Sequence, residues 1–147
     1  MSDHDQIRNL LGTYCELMDA AAWTEVGELF ADAELVGPDG AVVARGAAAV
    51  QALYERGTRL HDGSPRTRHV TANPIIDVHG AHATARSSYV VFQGLPGAAI
   101  HPIITGRYRD EFVRDDAGRH GGWRFARRQF FVDHVGDLSA HLTYEVT

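Results

Sequence analysis

The stretch His82-Ala83-Thr84-Ala85-Arg86-Ser87-Ser88-Tyr89-Val90-Val91-Phe92-Gln93 decides the fold. Successive side chains of an extended strand point to opposite faces, so Ala83, Ala85, Ser87, Tyr89 and Val91 share one side. Three more runs rich in Val, Ile, Tyr, Phe and Thr lie at about 66 to 78, 101 to 114 and 122 to 134, each set off by Gly or Pro. These four predicted strands are consecutive, which favours antiparallel pairing. In the third, Ile104, Gly106, Tyr108, Asp110 and Phe112 share a face, and in the fourth Trp123 shares one with Phe125.

Upstream the periodicity is helical. From Asp5 to about Ala22, apolar residues recur at Ile7, Leu10, Leu11, Tyr14, Leu17 and Met18, the stripe of an amphipathic helix. A second, short helix is expected over Glu25 to Phe30, capped by Thr24 and ending near Ala31-Asp32. Ala33-Glu34-Leu35-Val36 and Ala41-Val42-Val43-Ala44 flank Gly37-Pro38-Asp39-Gly40, which reads as a hairpin. A third helix covers much of Ala47 to Leu60 through Val50, Leu53 and Tyr54. The order predicts an α+β fold, three N-terminal helices packed on the concave face of a curved, mostly antiparallel sheet, in one domain spanning 1–147.

Composition narrows the function. The chain has 147 residues, 44% hydrophobic, enough for one core and too few to divide comfortably into two. A net charge of -5 and the absence of a basic stripe argue against nucleic acid. One cysteine, Cys15, permits no internal disulfide, which fits a reducing cytoplasm. The acidic start, Met1-Ser2-Asp3-His4-Asp5-Gln6, does not resemble a signal peptide, and no apolar run is long enough for a membrane helix. His79, His82, His101, His120, His134 and His141 show no metal-ligand spacing and are expected on the surface and in loops.

Several segments together resemble a known group. They are Tyr14-Cys15-Glu16-Leu17-Met18-Asp19 with Trp23, Leu29-Phe30-Ala31-Asp32, Arg45-Gly46, Thr67-Arg68-His69-Val70-Thr71-Ala72-Asn73-Pro74, Gly106-Arg107-Tyr108-Arg109-Asp110-Glu111-Phe112, and Gly122-Trp123-Arg124-Phe125-Ala126-Arg127-Arg128. In order and spacing they resemble the SnoaL-like branch of the nuclear transport factor 2-like superfamily, which includes scytalone dehydratase and bile-acid dehydratases. The resemblance implies a cone-shaped α+β barrel with an apolar interior that takes a small hydrophobic molecule, no metal and no organic cofactor, and a homodimer or homotrimer. It also implies acid-base catalysis by Asp19 and His69, with Tyr14 matching a tyrosine five residues before the aspartate. Met18 and the apolar residues near Val91-Phe92 depart from scytalone dehydratase, which has a tyrosine and a second histidine there, and so disfavour scytalone as substrate.

These residue types suit dehydration or isomerisation beside a carbonyl, which needs a base, an acid and an enolate donor. Histidine serves as base and acid near neutral pH. A buried aspartate can fix its tautomer, and Tyr14 or Tyr108 can donate. Tyr54, Phe92 and Trp23 are further candidates for the pocket wall, each equally at home in a core. Asp19 lies about 140° round the helix from Tyr14, so it can instead cap the next helix or face solvent, and His69 can be a structural strand residue. Asp110 is either a rival centre, as in polyketide cyclases of this branch, or the partner of Arg127 in an ion pair, the favoured reading. An enzyme of the dehydratase or isomerase kind is expected. A non-catalytic ligand-binding protein and a dioxygenase β-subunit-like protein of the same fold are the alternatives.

Overall fold

The computed structural model describes residues 1–118 and 120–146. Helix α1 spans Asp3–Asp19. It starts two residues earlier than the periodicity predicts because the Ser2 hydroxyl accepts the Asp5 N–H at 3.1 Å, with Asp3 and Asp5 at the positive end of the helix. Ile7, Leu10, Leu11, Tyr14 and Met18 form its buried stripe. The C-terminus closes in a Schellman arrangement, with Ala22 N–H donating to Leu17 C=O and Ala21 N–H to Met18 C=O. Ala21 takes the left-handed conformation, φ 53°, that glycine usually supplies there. This turn ends the helix three residues before the predicted boundary and makes Asp19 its last residue.

Helix α2, Trp23–Leu29, follows at once. Its N-cap is Ala22, not Thr24; Thr24 lies inside the first turn and its hydroxyl accepts from Gln51 Nε2 at 3.2 Å. Strands β1 (Glu34–Val36) and β2 (Val42–Arg45) form the expected hairpin, and α3 covers Ala47–Gly57. The helices α2 and α3 pack closely because Gly27 lacks a side chain, whose Cβ would stand 2.6 Å from the Ala47 carbonyl oxygen.

Strands β3 (Thr67–His79), β4 (His82–Gln93), β5 (His101–Arg114) and β6 (Trp123–Val135) match the four predicted runs to within a residue. The sheet order is β2-β1-β6-β5-β4-β3, antiparallel throughout except where β1 runs parallel to β6. Ala83, Ala85, Ser87, Tyr89 and Val91 all face inward and are buried. Breaks in register curve the sheet. In β3 the ladder skips between Ala72 and Ile75, where Asn73 has φ 54° and Pro74 has no N–H to offer. Another break, between Val91 and Phe92 in the pairing of β4 with β5, leaves Ile103 as the extra residue of β5, fully buried, with Ile104 half-buried.

Two apolar clusters fill the concavity. The larger joins the helices to Trp123, Phe125, Phe112 and Phe30 at the closed end. The smaller, Tyr89, Val91, Ile103, Tyr108 and Leu138, lies toward the open end. Leu138 belongs to the chain after β6, which folds back over the opening. Among the described residues no helix is long and apolar enough to cross a membrane.

Candidate active site

A carboxylate at the last residue of a helix meets the negative end of the helix dipole, an unfavourable placement by roughly 0.3–1 kcal/mol. Asp19 stands there, and no basic residue occupies the last turn of α1. Donors from β3 offset the cost. Asp19 Oδ1 accepts the Thr67 hydroxyl at 3.0 Å and the His69 ring Nδ1–H at 2.6 Å, while the His69 backbone N–H reaches both carboxylate oxygens at 3.0 Å. Asp19 therefore neither caps α2 nor faces solvent, and its side chain is only 16% exposed. Arg68 Nε, 3.9 Å away on an exposed side chain, adds a weak, screened attraction.

The short contact fixes the imidazole. With Nδ1 donating to Asp19, Nε2 carries the lone pair, a tautomer assigned from the hydrogen-bond network. Nε2 has no hydrogen-bond partner among the described residues, and the ring, 8% exposed, lines an internal cavity of about 220 Å³. The arrangement is an imidazole held in one orientation by a carboxylate, its ring bordering a largely apolar space.

Tyrosines line that space. Tyr14 and Tyr54 share a hydrogen bond of 3.0 Å between their hydroxyls. Tyr108 stacks on Tyr89, ring centres 4.5 Å apart, and its own hydroxyl has no partner among the described residues. Burial raises the pKa of Tyr14, and those of Tyr54 and Tyr108 more strongly, so all three stay neutral donors. Gly106 makes room for Tyr89, whose hydroxyl crosses it to donate to the Phe131 carbonyl at 2.9 Å.

Beneath the tyrosines lies a sealed ion pair. Arg128 Nε and Nη2 donate to the two oxygens of Asp110 at 2.8 and 2.9 Å, both side chains 0% exposed. The expected partner of Asp110, Arg127, points elsewhere and meets Glu34 and Glu111. The reason is register, since Asp110 stands directly opposite Arg128 and Glu111 opposite Arg127. Burial pushes the Asp110 carboxyl upward against the pull of Arg128, whose own pKa the aspartate holds high despite burial. The guanidinium lies 3.7 Å from the Tyr108 ring centre and 4.5 Å from that of Tyr14, a cation–π stack that fixes both rings.

The roof comes from the segment after β6. Leu138, His141, Leu142, Tyr144 and Val146 line the cavity, while none of the residues 94–101 does. His141, expected at the surface, is 7% exposed, and its ring centre lies 6.4 Å from that of His69. Burial, with help from the adjacent His69, pushes its pKa down to about 4.

Of the predicted residues, Tyr14, Tyr54, Tyr108 and His69 meet at the cavity, with Asp19 directly behind His69. Three do not line it. Phe92 falls on the outer face of β4 opposite Arg68, because Val91 and Gln93 take the inward positions. Trp23 is buried behind Tyr54, its ring stacked on that tyrosine at 6.2 Å. Asp110 is covered by Arg128. Among the described residues no group of three or more His, Cys, Asp or Glu side chains is placed to hold a metal ion.

A curved sheet wrapped around three helices, with an aspartate–histidine pair beside an apolar cavity, defines a class of small cone-shaped proteins. Residues 1–129 match the SnoaL-like domain, and the chain belongs to that family. Among solved structures, an NTF2-like protein with a cystatin-like fold from Novosphingobium aromaticivorans is 27% identical, with a TM-score of 0.72 over 94% of this chain and 86% of that one. A protein of unknown function from Mycobacterium tuberculosis is 27% identical, with a TM-score of 0.70 over 88% of this chain and 71% of that one. A protein provisionally named scytalone dehydratase, also from Novosphingobium aromaticivorans, is 22% identical, with a TM-score of 0.71 over 99% and 89% of the two chains. At that identity the last likeness carries the fold alone. Comparison of the sequence with curated proteins finds no match.

Proposed function

We propose that this protein catalyses a cofactor-independent dehydration or isomerisation of a small ring-bearing hydroxy ketone. The observation that carries the reading is the 2.6 Å contact between Asp19 Oδ1 and His69 Nδ1, with Nε2 of the same ring left free beside an apolar cavity. His69 Nε2 removes a proton from the carbon next to the carbonyl, and the electron pair moves into an enolate whose oxygen a neutral phenol holds, Tyr14 or Tyr108. In dehydration the enolate re-forms the carbonyl as the carbon–oxygen bond to the β-hydroxyl breaks. His69 returns its proton to that oxygen and water leaves. In isomerisation the same proton is delivered to a different carbon. Asp19 orients the ring and stabilises the imidazolium formed between the two proton transfers.

Cavity size sharpens the substrate class. An apolar cavity of about 150 Å³ holds one benzene ring, so about 220 Å³ suits one or two rings, and a tetracyclic steroid would protrude through the mouth. Asp110 as reactive centre fits less well, because Arg128 occupies both of its oxygens in a fully buried pair. The test is turnover of a panel of monocyclic and bicyclic β-hydroxy ketones, followed by the absorbance of the enone product. Asp19→Asn and His69→Ala are each expected to abolish turnover with the fold retained by circular dichroism. A non-catalytic ligand-binding protein would instead bind the panel without converting any member, in wild type and variants alike.

A further inference from the structure

Neither ring nitrogen of His141 has a hydrogen-bond partner among the described residues, and Nδ1 is wholly buried. A buried polar atom left unpaired costs free energy, so its persistence calls for an explanation. The surrounding roof residues Leu138, Leu142 and Val146 supply no polar atom from their side chains, and packing alone would be served by another leucine. The ring is also not a loosely held passenger of a chain end. Its own carbonyl accepts the Arg59 backbone N–H at 2.8 Å. The preceding carbonyl, of Ala140, is held by the His61 ring at 2.7 Å and Gln93 Nε2 at 3.2 Å. Arg59 Nε donates to the Leu142 carbonyl at 3.0 Å, and Thr143 bonds the backbone of Arg56 and Gly57. Six bonds from the segment 56–61 and from β4 thus fix the strip of chain that carries one imidazole.

We propose that His141 is a substrate-binding residue, whose imidazole hydrogen-bonds an oxygen of the ligand across the cavity from His69. This rests on the function proposed above and adds to it a second polar contact, from the roof. Spacing supports the contact: a ring nitrogen lies about 1.2 Å from its ring centre and a hydrogen bond spans about 2.8 Å. One hydroxyl oxygen, donating to His69 and accepting from His141, can therefore bridge two imidazoles whose centres are up to about 8 Å apart, and these are 6.4 Å apart with planes at 65°. His69, Asp19 and His61 are the titratable groups that bear on His141; burial, His69 and His61 keep it uncharged near neutral pH against the opposing pull of Asp19. An uncharged imidazole donates to a carbonyl or enolate oxygen without repelling the cation that forms on His69. The ligand class that follows is an uncharged ring compound with an oxygen on the roof side. A pure hydrocarbon would leave both nitrogens unpaired.

The experiment compares 1-tetralone with its hydrocarbon counterpart tetralin, by titration monitored through ¹⁵N NMR of the histidine rings. In the wild type, 1-tetralone is expected to shift the His141 ring nitrogens and to bind more tightly than tetralin. His141→Leu should lose about tenfold of that preference, the cost of one hydrogen bond, while tetralin affinity stays unchanged. His141→Gln, which keeps a donor and an acceptor, should retain most of it. If the wild-type His141 signals do not move on adding 1-tetralone, the proposal is overturned without recourse to any variant. Equal losses for ketone and hydrocarbon in His141→Leu would likewise overturn it by assigning the residue to packing. Either result leaves the role of His69 standing if His69→Ala still abolishes turnover, so the two readings fail separately.

Discussion

Replacing Asp110 by asparagine removes the charge that compensates Arg128 in a site where both side chains are 0% exposed. The asparagine amide keeps the shape and one acceptor but leaves the guanidinium uncompensated beneath the Tyr14 and Tyr108 rings. Breaking a buried pair from one side costs about 3–5 kcal/mol, because the remaining charge stays desolvated. For a chain of this length each kcal/mol lowers Tm by roughly 2–4 °C, so the expected fall is on the order of 10 °C. Trp123, fully buried on β6, reports unfolding by fluorescence in urea or on heating. The companion Asp110→Asn with Arg128→Met should be more stable than Asp110→Asn alone, since both charges are gone. A change below about 1 kcal/mol in Asp110→Asn would refute the sealed-pair reasoning. Undiminished stability with complete loss of turnover would point instead to Asp110 as the reactive group.

Acid should weaken the fold through His141. Its folded pKa, about 4, lies below its ordinary 6.5, so between these values the unfolded chain binds a proton that the folded chain refuses. The contribution is complete above pH 6.5 and is lost as the pH falls to about 4, at about 1.4 kcal/mol per pH unit or about 3 kcal/mol in total. Urea unfolding at pH 7, 6, 5 and 4 should show this slope in the wild type and a shallower one in His141→Asn; identical slopes would remove His141 as the cause. Ala21→Gly should raise stability by up to about 1 kcal/mol, because Ala21 sits at φ 53° in the turn that ends α1. Thermal unfolding checks this, and a lower Tm would mean that the left-handed turn is not what limits that helix end.

The fold was legible where local pattern and burial coincide. The alternation of Ala83, Ala85, Ser87, Tyr89 and Val91 and the stripe from Ile7 to Met18 each encode one buried face, and both are buried as read. The parallel pairing of β1 with β6 was not legible, because it joins segments about 90 residues apart and leaves no periodic trace. Asp19 was ambiguous for a specific reason. Its direction depends on a Schellman turn whose left-handed residue is an alanine, so the usual glycine marker is missing. Arg128 rather than Arg127 pairs with Asp110 through sheet register, which a one-residue slip inverts. His141 was read as a surface residue, since the chain after Val135 has no periodicity and is positioned by backbone bonds to the segment 56–61. The apolar residues Leu138, Leu142, Tyr144 and Val146 spaced along that terminal segment were the available signal that it covers something.

The proposed role of His69, a base held by Asp19 in a pocket for a small ketone, is open to one direct measurement that does not require the natural substrate. In deuterium oxide, loss of the proton signal at the carbon next to the carbonyl of 1-tetralone reports proton abstraction, whatever the subsequent step. Exchange well above the buffer rate is expected with the wild-type protein, and exchange at the buffer rate with His69→Ala. Exchange by His69→Ala at the wild-type rate, or tight binding of the ketone by wild type without accelerated exchange, would contradict that role.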